Sequence, residues 1–95
     1  MRKKQVIVFG ATGFIGRNLI ERLSLRDDID LYGTYFKSEP SETLKELNVK
    51  LIKIDLTNKI EVEQILENKD IVIQAAAVTT GIKDVVNQPY IHVTD

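Results

Sequence analysis

Residues 10–16 read Gly10-Ala-Thr-Gly13-Phe-Ile-Gly16, and they place three of the chain's five glycines within one turn's length. The apolar run Val6-Ile-Val-Phe9 precedes them and a helical pattern follows. Strand, glycine turn and helix in that order build a cradle for phosphate. One glycine permits a turn that a Cβ would block. Another lets backbone approach a pyrophosphate, and a third lets helix pack close to strand. The helix that follows presents unpaired N–H groups and the positive end of its dipole. A glycine-rich turn without a ligand is the plainer alternative. A P-loop is excluded, because no Gly-Lys-Ser/Thr follows the turn.

The rest of the chain alternates between two hydrophobic periods. Residues 6–9 read as a buried parallel strand, short, β-branched and apolar on both faces. Residues 14–26 read as a helix with Ile15, Leu19, Ile20 and Leu23 on one face. Residues 30–37 read as a second strand and 38–41 as a turn. A short helix follows over 41–47, with Ser41 as N-cap. Residues 49–54 form the third strand. Asn58 caps a helix over 59–67, whose Ile60, Ile65 and Leu66 face inward. Residues 70–74 are the fourth strand and 75–83 a loop of small residues. A last helix begins near Asp84 and is interrupted or restarted at Pro89. Such alternation implies an α/β fold, a Rossmann-like doubly wound parallel sheet with right-handed crossovers and strand order 3-2-1-4.

Composition narrows the partners. Formal net charge is −1, which gives no electrostatic reason to expect nucleic acid or anionic membrane. No apolar run approaches the roughly 20 residues of a membrane span. Met1-Arg-Lys-Lys has the charge of a signal peptide's start, but only Val6 to Phe9 are strongly apolar before the glycines. With no cysteine there is no disulfide and no thiolate metal site. A cytoplasmic protein without a metal centre is the simplest account.

The spacing Gly-x-x-Gly-x-x-Gly, with Ala-Thr inside and Phe-Ile after, resembles that of the extended short-chain dehydrogenase/reductases. These are NAD(P)-dependent epimerases, dehydratases and reductases of nucleotide sugars. The resemblance implies that Gly10, Thr12, Gly13, Phe14, Ile15 and Gly16 hold the cofactor's pyrophosphate. Asp55-Leu56, after strand three, is similar to the family's adenine-binding pair; the alternative for Asp55 is a loop aspartate capping the next helix. Ala75, Ala76 and Ala77 let a cofactor lie against the backbone, or serve close packing of helix on strand. Gln74 departs from the His or Asn that family members often carry there.

The end of strand two separates NAD from NADP, through an acidic side chain on the ribose hydroxyls or a cation on a 2′-phosphate. This chain has Tyr35-Phe36-Lys37-Ser38. Asp30 is at the wrong end of the strand and Glu39 lies past the contact point. Gly33-Thr-Tyr-Phe-Lys37 is similar to the Gly-x-x-Arg-Arg of NADP-using dehydratases. Lys37 and Ser38 therefore point to NADP over NAD, although Lys37 also suits a solvated surface. The sole histidine, His92, reads as a surface or packing residue.

The family's chemistry rests on a Tyr-x-x-x-Lys pair, in which the tyrosine is the acid/base and the lysine lowers its pKa. Four residues after Tyr32, Tyr35 and Tyr90 stand Phe36, Glu39 and Thr94, so none matches. The resemblance covers the whole chain but about the first third of a usual family member. Strand four, with no charge to blunt it, is expected to be a bare edge. The chain thus reads as residues 1–95 of an NAD(P)-binding domain, the amino-terminal part of a longer enzyme cut inside its fourth helix. A non-catalytic nucleotide sensor of the same superfamily is the alternative, and a complete small binding module a third. By itself the chain is expected to lack dehydrogenase activity. The parent is expected to act on a nucleotide sugar and to pair as a homodimer.

Overall fold

A computed structural model describes residues 2–75 and the backbone of 90–92. The elements are β1 (Lys4–Phe9), α1 (Phe14–Leu23), β2 (Ile29–Tyr35), α2 (Glu42–Lys45), β3 (Lys50–Lys53), α3 (Lys59–Leu66), β4 (Ile71–Gln74) and β5 (Tyr90–His92). All pairings are parallel and the strand order is β3-β2-β1-β4-β5.

The period of two along β1 explains why helices lie on both faces. Val6 and Val8 point to one face, where they pack with Ile20 of α1 and Leu44 of α2. Ile7 and Phe9 point to the other, against Val62 and Leu66 of α3. Neighbouring strands repeat the pattern: Leu31 and Ile73 join the first core, Val72 the second. All four β1 residues from Val6 to Phe9 are at most 3% exposed, so β1 is the central strand in burial as well as in topology.

The helix starts follow their capping residues. The Ser41 hydroxyl accepts from the Leu44 N–H at 3.1 Å, and the Asn58 side chain accepts from the Glu61 N–H at 3.1 Å. Each satisfies a first-turn donor that has no intrahelical partner. Helix α1 ends earlier than its apolar pattern predicts. Beyond Leu23 the chain continues in tighter i→i+3 bonds, Leu25 to Arg22 and Arg26 to Leu23, and Leu25 is 84% exposed.

Two expectations are corrected. Ile60 was expected to face inward but is 68% exposed; Val62 and Leu66 bury the face of α3 instead. Val62 and Leu66 are four residues apart on one face, and Ile60, two residues from Val62, falls on the opposite one. Residues 90–92 do not restart a helix at Pro89 but pair with β4, in register Val72↔Tyr90, Ile73↔Ile91 and Gln74↔His92. The uncharged β4 is thus not a bare edge; the aromatic and β-branched Tyr90-Ile91 complete it. The helix expected from Asp84 lies outside the described residues.

The amino ends of the strands are tied by polar contacts. The Asp70 carboxylate accepts from the Gln5 N–H at 2.7 Å and from Arg2 at 2.9 Å. The Gln5 amide donates to Asp30 at 2.6 Å and its carbonyl accepts from the Tyr32 hydroxyl at 2.9 Å. Among the described residues, no helix is long and apolar enough to cross a membrane.

Candidate functional site

The glycine turn leaves the carboxyl end of β1, and β2 anchors it. Gly10 adopts φ 89°, a left-handed conformation that costs a side-chain-bearing residue about 1–2 kcal/mol. Its N–H donates to the Thr34 hydroxyl at 3.2 Å, and the Ala11 N–H donates to the Thr34 carbonyl at 2.7 Å. Thr34 is 1% exposed. One buried threonine therefore supplies two of the acceptors that fix the turn, and the Gly10 carbonyl, which accepts from the Gly13 N–H at 3.3 Å, is another.

Gly16 is buried in α1, where an added Cβ would fall inside the carbonyl oxygen of Gly10. Gly13 differs from both. It is the N-cap of α1 at φ −75°, ψ 169°, which any residue adopts. The nearest atom a Cβ would meet is the Gly10 carbonyl oxygen, at an ordinary 3.7 Å. No side chain caps α1 and no acidic residue stands in its first turn. The positive end of that helix is therefore left open beside a glycine that the fold does not require.

Beside the turn, a cleft of about 610 Å³ runs over the carboxyl ends of β1, β2 and β3. It is lined by Gly10 and Thr12 after β1, by Thr34 to Ser38 at the end of β2 and by Ile54 to Thr57 after β3. The cleft brings together six of the residues singled out from sequence: Gly10, Thr12, Lys37, Ser38, Asp55 and Leu56. Gly13, Phe14, Ile15 and Gly16 stand next to it at the start of α1. There Phe14 is 73% exposed and Ile15 half-buried. Ala75 follows β4, donates its N–H to the Phe9 carbonyl at 2.9 Å and packs on the α1-side core. Ala76 and Ala77 lie outside the described residues. Asp30 is at the far end of β2, and Glu39 does not line the cleft.

Among the described residues lining the cleft, Asp55 carries the one carboxylate. The Thr57 hydroxyl and backbone N–H both donate to its Oδ1, at 2.7 and 2.9 Å. These bonds, with the Lys37 ammonium nearby, hold the Asp55 carboxyl below its ordinary value. Among the described residues, the lining thus carries one cationic side chain, Lys37, and one carboxylate, Asp55. Asn58 takes the helix-capping role that was the alternative for Asp55.

Sequence reasoning passed over Thr34, Tyr35, Phe36, Ile54 and Thr57 as site residues. For Thr57 a signal existed, since Asp-x-Thr is the pattern of a side-chain turn closed on backbone two residues on. For Thr34 there was none, because its partner Gly10 is 24 residues away.

A sheet of this order, a glycine turn at the end of its central strand and a cleft at its carboxyl edge delimit the relatives. The model of the NAD dependent epimerase/dehydratase family matches residues 6–93. The chain belongs to that family. Solved structures agree in fold with the family assignment. PbgP3 protein from Burkholderia pseudomallei is 27% identical at TM-score 0.68, over 83% of this chain and 27% of its own. The Bordetella bronchiseptica enzyme WbmH, solved in complex with NAD+, is 22% identical at TM-score 0.66, over 83% and 28%. A wide-type short-chain dehydrogenase/reductase from Veillonella parvula DSM 2008, in complex with NADP, is 19% identical at TM-score 0.76, over 96% and 47%. The chain thus spans between about a quarter and a half of the length of these proteins.

Proposed function

We propose that this chain holds a nicotinamide dinucleotide, NADP in preference to NAD, for a family enzyme acting on a nucleotide sugar. One observation carries the reading. Gly10 and Gly16 are required by the fold, but Gly13 is not. A glycine kept at an open, uncapped helix start suits a ligand that must touch backbone. Pyrophosphate is that ligand, because the exposed N–H groups and helix dipole favour an anion of its size.

The rest of the cleft suits the adenosine half. Its volume is in the range of small-molecule sites. Asp55 and Leu56 from the end of β3 and Lys37 and Ser38 from the end of β2 line it together. Lys37 favours a 2′-phosphate, and no acidic residue from the end of β2 reaches the lining. The structures solved with NAD+ and with NADP support a nicotinamide cofactor for this fold. When bound, the nicotinamide would exchange hydride with a carbon of the sugar. The chain's own residues bind and orient the cofactor. With no Tyr-x-x-x-Lys among the 95 residues, they supply no acid/base for that exchange, and the chain alone is expected to be inactive. The whole enzyme is expected to be a cytoplasmic epimerase, dehydratase or reductase that pairs as a homodimer.

The test is titration of the 95-residue chain with NADPH and NADH, followed by nicotinamide fluorescence. Saturable binding with the phosphate-bearing form tighter is expected. Absence of binding by either would overturn the dinucleotide reading, and equal affinities would remove the NADP preference.

A further inference from the structure

Away from the cleft, two cations meet one aromatic ring. The Lys69 Nζ lies 4.3 Å from the centre of the Tyr32 ring, and the Lys50 Nζ 5.4 Å from it. The fold holds each partner. Lys50 of β3 is in register with Tyr32 of β2, and the Tyr32 hydroxyl donates to Gln5 at 2.9 Å. Asn68, at φ 68°, turns the chain after α3. The Lys69 N–H then donates to the Leu66 carbonyl at 3.2 Å, and the next N–H, of Asp70, to the Gln5 carbonyl at 2.7 Å.

The carboxylates of this region are engaged elsewhere. Asp70 accepts from Gln5 and Arg2, and Asp30 accepts from Gln5. Among the described residues, neither Lys50 nor Lys69 forms an ion pair. The two lysines differ in surroundings, Lys50 being exposed and Lys69 half-buried. The ring face attracts an ammonium. Burial first, and the Lys50 charge second, oppose it and hold Lys69 below the ordinary lysine value. An amine that is desolvated beside a second cation is an activated nucleophile. An exposed ammonium is a point charge suited to phosphate.

We propose that Lys69 is the chain's preferred site of acylation by acyl phosphates, with Lys50 holding the donor's phosphate beside it. The neutral Lys69 Nζ attacks the carbonyl carbon. A C–N bond forms and the acyl C–O bond breaks, with inorganic phosphate as leaving group. The proton that the amine gives up goes to that phosphate. The product amide has no charge and ends the repulsion between the two lysines. The plain alternative is that both side chains only cover the ring. A half-buried Lys69 would then react more slowly than exposed lysines.

The experiment treats the 95-residue chain, Lys50→Gln and Lys50→Arg with acetyl phosphate or with the uncharged N-hydroxysuccinimide ester of acetic acid. Peptide mass spectrometry gives the initial acetylation rate at each lysine. With acetyl phosphate, Lys69 should react severalfold faster than the exposed Lys3 and Lys53. At Lys69, the ratio of the acetyl phosphate rate to the ester rate cancels the protonation state of the amine. That ratio should fall about two- to fivefold in Lys50→Gln, the range of an exposed ion pair. Lys50→Arg keeps the charge and should keep the ratio. A Lys69 rate equal to or below those of Lys3 and Lys53 would overturn the acylation site. An unchanged ratio in Lys50→Gln would overturn the phosphate-holding role.

Discussion

A Cβ on Gly16 would occupy the position of the Gly10 carbonyl oxygen, so the first turn of α1 rests directly on the backbone at the end of β1. The contact sets how close the helix lies to the sheet. Gly16→Ala should therefore cost roughly 2–3 kcal/mol, because neither backbone segment can yield as a side chain would. The urea midpoint of the variant checks this, and an undiminished midpoint would mean that α1 can shift outward cheaply.

Gly13 should respond in the opposite sense. Gly13→Asp places an N-cap acceptor and a negative charge at the start of α1. It should stabilise the fold by about 0.5–1 kcal/mol. The same carboxylate would face the pyrophosphate and should weaken dinucleotide binding by roughly a hundredfold, since like charges in a cleft cost several kcal/mol. A more stable variant with undiminished affinity would sink the phosphate-cradle reading.

Lys37→Asp exchanges the cleft's cation for an acceptor of ribose hydroxyls. The NADPH/NADH affinity ratio should move toward NADH by about tenfold or more, as expected for losing a charge-assisted bond. If the ratio stays where it was, Lys37 is a solvated surface residue.

Thr34→Val removes a hydroxyl while keeping the volume. The Gly10 N–H then loses its acceptor at a half-buried turn, at a cost of about 1 kcal/mol. Affinity for the dinucleotide should fall with stability, because Gly10 lines the cleft. Amide hydrogen exchange at Gly10 gives the direct readout; continued protection would show that another acceptor holds the turn.

Asp70 links stability to acid. Its carboxyl is held below the ordinary range, first by the Gln5 N–H and then by Arg2. A depressed native value means that the unfolded chain takes up the proton more readily. The Asp70 contribution is thus fully present above the unfolded value of about 4, and is lost as pH falls through the native one. Urea midpoints measured at neutral pH and near pH 3 should lie closer together in Asp70→Asn. Equal separation in both proteins would assign the acid sensitivity to other carboxylates.

Local patterns carried most of the architecture. The alternation of short apolar runs with amphipathic stretches predicted β1 to β4, α1 to α3 and the order 3-2-1-4, and Ser41 and Asn58 cap the helices expected of them. These are properties of neighbours in the chain. The reading failed where packing against the sheet chose between alternatives. Ile60 is apolar, but the sheet takes the α3 face that carries Val62 and Leu66, opposite to it. Tyr90 to His92 follow a proline suited to a helix start, yet the apolar flank of β4 pairs them as a strand.

The candidate site divides in the same way. The glycine turn, Lys37-Ser38 and Asp55-Leu56 could be named from sequence because strand ends in a parallel sheet converge on one edge, and motif spacing marks those ends. The three glycines looked alike in the sequence. Only the tertiary structure separates Gly10, held by its backbone angle, and Gly16, held by contact, from Gly13, which the protein itself leaves unconstrained. Thr34 likewise emerged only once β1 and β2 were set side by side, whereas the hold of Thr57 on Asp55 spans two residues and was legible in the Asp-x-Thr pattern. Periodicity and capping are short-range effects and can be read in one dimension. Which glycine is spare and which threonine is buried depend on how the turn, helix α1 and strand β2 pack in three dimensions.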